Sequence, residues 1–168
     1  VGSIIALTGC VAAILIVNFK VSWPLAILAT LIIGFLVGGF NGLLITKFNV
    51  VPFIATLGSM NIIRGIAFII TNGQAIYVPD PVMGTGKLFS LIPVPAIIML
   101  CLYILFWLIT KFTVFGRNVF AVGGNSVASR LAGIRVKHLT MVLYVLTGIL
   151  SAVAGLVMTG LTSTAMPS

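Results

Sequence analysis

Any chemistry in this 168-residue sequence has to come from very few side chains. There is one acidic residue, Asp80, and one histidine, His138, against nine Lys plus Arg. General acid/base catalysis and proton-coupled transport both need ionisable groups with tuned pKa values, usually carboxylates or histidines. One aspartate cannot form a carboxylate dyad. Asp80 and His138 also fall in loops on opposite sides of the apolar segments described below, so a Ser/His/Asp triad is not available. The run Gly84-Thr85-Gly86-Lys87 has a superficial likeness to a phosphate loop. That loop needs GxxxxGK followed by Ser or Thr between a strand and a helix; here Leu88 follows the lysine and no strand precedes it. Cys10 and Cys101 each sit inside an apolar run without a second ligand, so neither a disulfide nor a metal site is indicated, and both are expected to be small packing residues. An enzyme is the class least supported, and no cofactor is expected.

Two stretches keep some chemical capacity. In the first, Asn61 and Arg64 are one helical turn apart with Gly58 and Gly65 beside them. An arginine at membrane depth costs ~2.5–3.5 kcal/mol on insertion scales, so it either snorkels, pairs or serves a path. Arg64 is ~10 Å from the Thr71 end of its segment. It could reach headgroups, pair with Asp80 in the following loop, or line a transport route.

The second stretch, residues 111–138, reads KFTVFGRNVFAVGGNSVASRLAGIRVKH and holds five of the nine basic residues. Asn125 can cap a short helix and Gly133 can end it in a left-handed turn. The helix is expected over Ser126–Ala132, with Val127, Leu131 and Ile134 on one face and Ser126, Ser129 and Arg130 on the other. So short a helix is not stable alone in water and must dock, either under its own membrane domain or on a soluble partner. The scarcity of carboxylates favours the partner, because energy for uphill movement would have to arrive from outside the chain.

The elements that position these residues are membrane spans. Hydrophobic content is 61%, charged content 6% and mean hydropathy +1.33, far from the averages of soluble domains. The net charge of +8 does not indicate nucleic-acid binding, since the basic residues stand at the ends of apolar segments instead of forming one basic surface. A span needs ~20 apolar residues. Five segments are expected: Val1–Val17, Leu25–Thr46, Phe53–Ile70, Ala96–Ile109 and Leu139–Leu161. Trp23 suits an interface anchor, and Pro24 and Pro52 open the second and third segments. Gly34, Gly38 and Gly42 form a ridge for close helix packing, matched by Gly148 with Ala152 and Ser151 with Gly155.

The expected fold is therefore all-α, a polytopic transmembrane helical bundle forming one membrane domain over residues 1–168. No secretory leader is apparent, and both chain ends look cut, as in a fragment of a longer permease. Lys47, Lys111, Arg117, Arg130, Arg135 and Lys137 fall on one side of the alternating segments, against Lys20 and Lys87 on the other. This makes the 111–138 loop cytoplasmic and the 71–95 loop extracytoplasmic, with both chain ends expected outward.

The runs ALTGCVAA (6–13), GFNGLLITKFNVVPFIATLGSMNIIRGIAFIITNG (39–73), IPVPAIIML (92–100) and FGRNVFAVGGNSVASRLAGIRV (115–136) closely resemble the permease subunits of bacterial ABC importers for simple sugars of the ribose, galactose and xylose type. The resemblance covers nearly the whole chain. It implies a multi-pass protein of the bacterial cytoplasmic membrane that pairs with a second permease copy, a cytoplasmic ATP-binding subunit and an extracytoplasmic sugar-binding protein. It also implies that Gly124, Asn125, Ser126, Val127, Ala128, Ser129, Arg130, Leu131, Gly133 and Ile134 form an ATPase-coupling helix. Members of the family often carry an acidic residue after Gly-Gly-Asn, where this chain has Ser126. Asn41, Thr56, Ser59, Asn61 and Arg64 are the candidates for the sugar path. The rival readings are an ATP-independent secondary carrier or channel for a small polar solute, and a non-transporting membrane scaffold.

Overall fold

The computed structural model describes residues 1–78, 87–88 and 92–167. Seven helices run in order: α1 (Gly2–Val17), α2 (Trp23–Thr46), α3 (Pro52–Thr71), α4 (Val94–Phe112), α5 (Val114–Gly124), α6 (Ser126–Leu131) and α7 (Val136–Thr162). Four of them, α2, α3, α4 and α7, are long and apolar enough to cross a membrane. The sixteen residues of α1 are fewer than a span requires. Pro24 and Pro52 lie in the first turns of α2 and α3, where a missing N–H costs nothing. Four of the five expected segments match these spans to within a few residues and the first corresponds to the shorter α1; the fifth starts at Val136 instead of Leu139, which puts Lys137 and His138 in the first helical turn.

The core is a seam of small residues. A Cβ on Gly34 would lie 2.6 Å from the Gly148 carbonyl oxygen, and one on Gly38 would lie 2.5 Å from that of Tyr144. Gly148 is tighter still against the Gly34 carbonyl. Lipid offers apolar side chains nothing they lack in a protein interior, so membrane helices gain stability by bringing backbones together. The ridge expected on α2 thus finds its partner on α7. Further along α7, Gly155 abuts Thr8 and the Ile5 carbonyl of α1. Thr8 and Thr30, both fully buried, return their hydroxyl hydrogens to the Ile4 and Ala26 carbonyls of their own helices.

Among the described residues there are also four two-residue strands: β1 (Ile76–Tyr77), β2 (Lys87–Leu88), β3 (Ile92–Pro93) and β4 (Thr164–Ala165). β1 pairs antiparallel with β4, and β2 with β3. The first pair ties the exit of α3 to the exit of α7, over a cluster of Cys10, Ala13, Val78 and Ala165 against which Trp23 packs. These short pairings lie outside the helical bundle and leave the expected all-α class in place. Strands of two residues carry no local sequence signal, and chain proximity creates them.

Further differences are instructive. Because Ile5 and Thr8 meet Gly155 while Cys10 and Ala13 meet Ala165, α1 runs parallel to α7 and begins beside its middle. Val1 therefore does not reach the β1–β4 end, contrary to the expectation that both chain ends lie there. Cys10 packs as expected, but Cys101 is exposed on α4, a helix with no buried residue. The Gly84–Lys87 run and the possible Asp80 partner of Arg64 lie outside the described residues, apart from the backbone of Lys87.

Candidate functional site

The end of the bundle opposite β1–β4 carries most of the basic residues. Lys111, closing α4, lies 4.7 Å from the Trp107 ring centroid, and Trp107 meets Phe112 edge-on at 6.0 Å. Such amphipathic groups suit a membrane interface. The chain then reverses into α5. The Thr113 side chain caps it by accepting from the Gly116 N–H at 3.2 Å. Gly116 is pressed on the Thr110 backbone so closely that any side chain there would collide. The sequence pattern gives residues 111–138 as a loop with one short helix and does not show this second one.

α6 follows immediately. The Asn125 Oδ1 accepts from the N–H groups of Val127 and Ala128, each at 3.0 Å, which satisfies two donors a helix start leaves open. At the other end, Gly133 takes φ +86°, and its N–H reaches the Arg130 carbonyl at 3.1 Å. The turn passes into α7 through an Ile134 N–H to Ser129 carbonyl bond of 3.0 Å. Both signals expected from the sequence are in place, with the helix ending one residue early.

The sequence separates two faces and leaves open which one turns inward. Ser129, on the polar face with Ser126 and Arg130, is 5% exposed. Val127 and Leu131, the apolar pair, are 68% and 86% exposed. The small serine is what allows α6 to settle on its neighbours, so the opposite, apolar side is turned outward. Ile134 lies beyond the Gly133 turn and is half-buried, no longer in helical register with that pair. Gly124, Asn125, Ser126, Ala128 and Arg130 are exposed.

Between α6 and the start of α7 is an open cleft of about 540 Å³, whose lining includes Ser126, Val127, Arg130, Arg135, Lys137 and His138. The sequence places Arg135, Lys137 and His138 at the end of the 111–138 loop without joining them to α6; the Gly133 turn brings them beside Arg130. From Lys137 the Nζ donates to the Asn49 Oδ1 at 3.1 Å, fixing the α2–α3 connection beside the entry of α7. This places Lys47 and Lys137 at one end, as the charge asymmetry predicts.

The path candidates do not share one surface. Asn61 and Arg64 are exposed on the same face of α3, and Cβ atoms on Gly58 and Gly65 would meet nothing within 4 Å. Ser59 faces inward at 6% exposed, and half-buried Thr56 donates to the Pro52 carbonyl at 2.9 Å. Asn41, on α2, is also 6% exposed, and its Oδ1 is buried with no hydrogen-bond partner among the described residues.

Comparison with known proteins agrees over the full chain. The family described as branched-chain amino acid transport system / permease component matches residues 1–168. The ribose import permease protein RbsC of Haemophilus influenzae is 39% identical over 175 residues, covering 100% of this chain and 54% of that protein. The galactofuranose transporter permease protein YtfT of Escherichia coli is 38% identical over 94% of this chain and 46% of its own length. The L-arabinose transport system permease protein AraH of Escherichia coli is 36% identical over 99% and 51%. The chain spans about half the length of the curated relatives it matches. No solved structure matches it.

Proposed function

Since the chain belongs to the family of branched-chain amino acid transport system permease components, we propose that it is part of the membrane permease subunit of an ATP-driven importer for a monosaccharide, in the bacterial cytoplasmic membrane. The relatives named for ribose, galactofuranose and arabinose support a sugar as the cargo. The protein itself breaks no bond; ATP hydrolysis belongs to a separate cytoplasmic subunit, and an extracytoplasmic binding protein delivers the sugar.

The observation that carries this reading is α6. A capped helix with Val127 and Leu131 turned outward is suited to a soluble partner, since a helix packed only on its own domain would turn that pair inward. The helix is joined to α7 through Gly133 and to α4 through α5, so a partner that moves α6 also moves spans. ATP binding in the partner would favour one of two permease arrangements, and α6 would pass on that preference as a rigid-body shift. Gly124–Ile134 is the coupling surface in this scheme. The path, between two permease copies, would present Asn61 and Arg64 of α3, with Asn41, Thr56 and Ser59 deeper in the bundle.

The test is co-purification of the full-length protein with its ATP-binding subunit, native against Leu131→Asp. The expected result is loss of the ATPase with the permease still folded in the membrane. Unchanged capture, together with sugar uptake that persists after ATP depletion, would favour an ATP-independent carrier.

A further inference from the structure

We propose that the cleft between α6 and the start of α7 is an electropositive socket that takes acidic side chains of the ATP-binding subunit, so that the docking contact is a basic permease surface in an acidic groove. This rests on the docking reading above and adds its polarity. Arg130 comes from α6, Arg135 from the turn, and Lys137 and His138 from the first turn of α7; all four line the one cleft. The only acidic side chain in the 168-residue sequence, Asp80, lies outside the described residues, so no carboxylate side chain among the described residues faces these cations. Ser126, at the N-terminus of α6, supplies no negative charge either. Among the described residues, the cleft therefore presents only basic and uncharged side chains.

The occupant is a protein and not lipid headgroups because of what borders the cleft. Val127 lines it, and Leu131 on the next turn is 86% exposed. A headgroup would neutralise the cations but leave that apolar pair wet. A protein groove with an apolar floor and acidic rim covers both, the usual anatomy of an interface with buried anchors and a charged margin. Complementary charge would also speed encounter and exclude ATP-binding subunits whose grooves are basic.

The experiment measures affinity between full-length permease in nanodiscs and its ATP-binding subunit, for the native protein, Arg130→Glu/Arg135→Glu, Arg130→Gln/Arg135→Gln, Arg130→Lys/Arg135→Lys and Leu131→Asp. We expect about 10-fold weaker binding per reversed charge, equivalent to 1.4 kcal/mol each. The glutamine variant should fall between, and the lysine variant should stay within ~3-fold of native. Native binding should weaken as salt rises from ~0.05 M to ~0.5 M. If the glutamate variant does not fold, the glutamine variant and the salt series carry the same comparison. Salt-insensitive binding that survives the glutamate change but not Leu131→Asp would overturn the socket and leave the docking reading intact. Survival of both changes would remove the docking reading as well. Retention of the ATPase with loss of co-purifying anionic lipid would assign the cleft to headgroups and overturn the proposal.

Discussion

The α2–α7 seam and the α4–α6 arm belong to one chain but are built on opposite terms. At the seam, Gly34, Gly38 and Gly148 put backbone against backbone, with no room for a methyl group. Along the arm, α4 buries no residue, α5 buries only Gly116 and α6 only Ser129. In both regions small residues mark the places of contact. The seam uses them to bury helices against each other; the arm uses two of them to hold a short helix at a fixed angle while leaving its large side chains free. The first arrangement yields a rigid body, and the second yields a surface that is positioned but uncovered.

The sharpest way to break that contrast is to place the same side chain in both settings. Gly38→Leu should have the largest effect of the changes considered, because its Cβ would fall 2.5 Å from the Tyr144 carbonyl oxygen and 3.0 Å from the Val145 Cα, and neither backbone can yield alone. We expect a loss of ~3 kcal/mol or more, measured as a collapse of the thermal transition in detergent. Gly58→Leu, on the open face of α3 where a Cβ meets nothing within 4 Å, should leave that transition unchanged or slightly raised. Comparable damage from both would mean that the open face is covered in the assembled protein.

A smaller effect is expected where the arm is held. Asn125→Ala removes the acceptor for the Val127 and Ala128 amides and should cost α6 about 1 kcal/mol. Faster hydrogen exchange at those two amides, with exchange along α7 unaltered, is the expected readout. Asn125→Asp should restore protection, since a carboxylate caps equally well and suits the positive end of the helix. Equal loosening of α7 would show that the arm and the seam are not separable.

How much of this was legible depends on whether the cause was local. Hydropathy located the spans, and Pro24 and Pro52 fixed two of their starts because proline acts within its own turn. Asn125 and Gly133 marked the ends of α6 for the same reason. The glycine ridge on α2 and its counterpart on α7 could be read as surfaces awaiting partners, since spacing alone sets a ridge. α5 could not be read: its sequence, VFGRNVFAVGG, carries three glycines, and its start depends on Gly116 settling on Thr110 of another helix. Nor could the facing of α6. Amphipathicity says that two faces differ, but which one turns inward is decided by the neighbours, and here Ser129 is buried while Leu131 is exposed. The gathering of Arg130, Arg135, Lys137 and His138 depended in the same way on the turn at Gly133.

The smallest effect lies where the two regions meet. Lys137 donates from the first turn of α7 to Asn49, in the connection between α2 and α3, at 3.1 Å. Both groups are exposed, so Lys137→Met should cost only about 0.5 kcal/mol, a shift of the detergent melting transition near the limit of measurement. Asn49 sits at φ +52°, a conformation asparagine tolerates better than most residues. The connection therefore keeps its shape without the lysine, and Asn49→Ala should be the more damaging of the two, because it strains the backbone as well as removing the acceptor. If Lys137→Met instead lowered stability as much as Asn49→Ala, the hydrogen bond and not the backbone would be holding the connection. The base of the arm would then be part of the seam's own packing instead of a neighbour leaning on it.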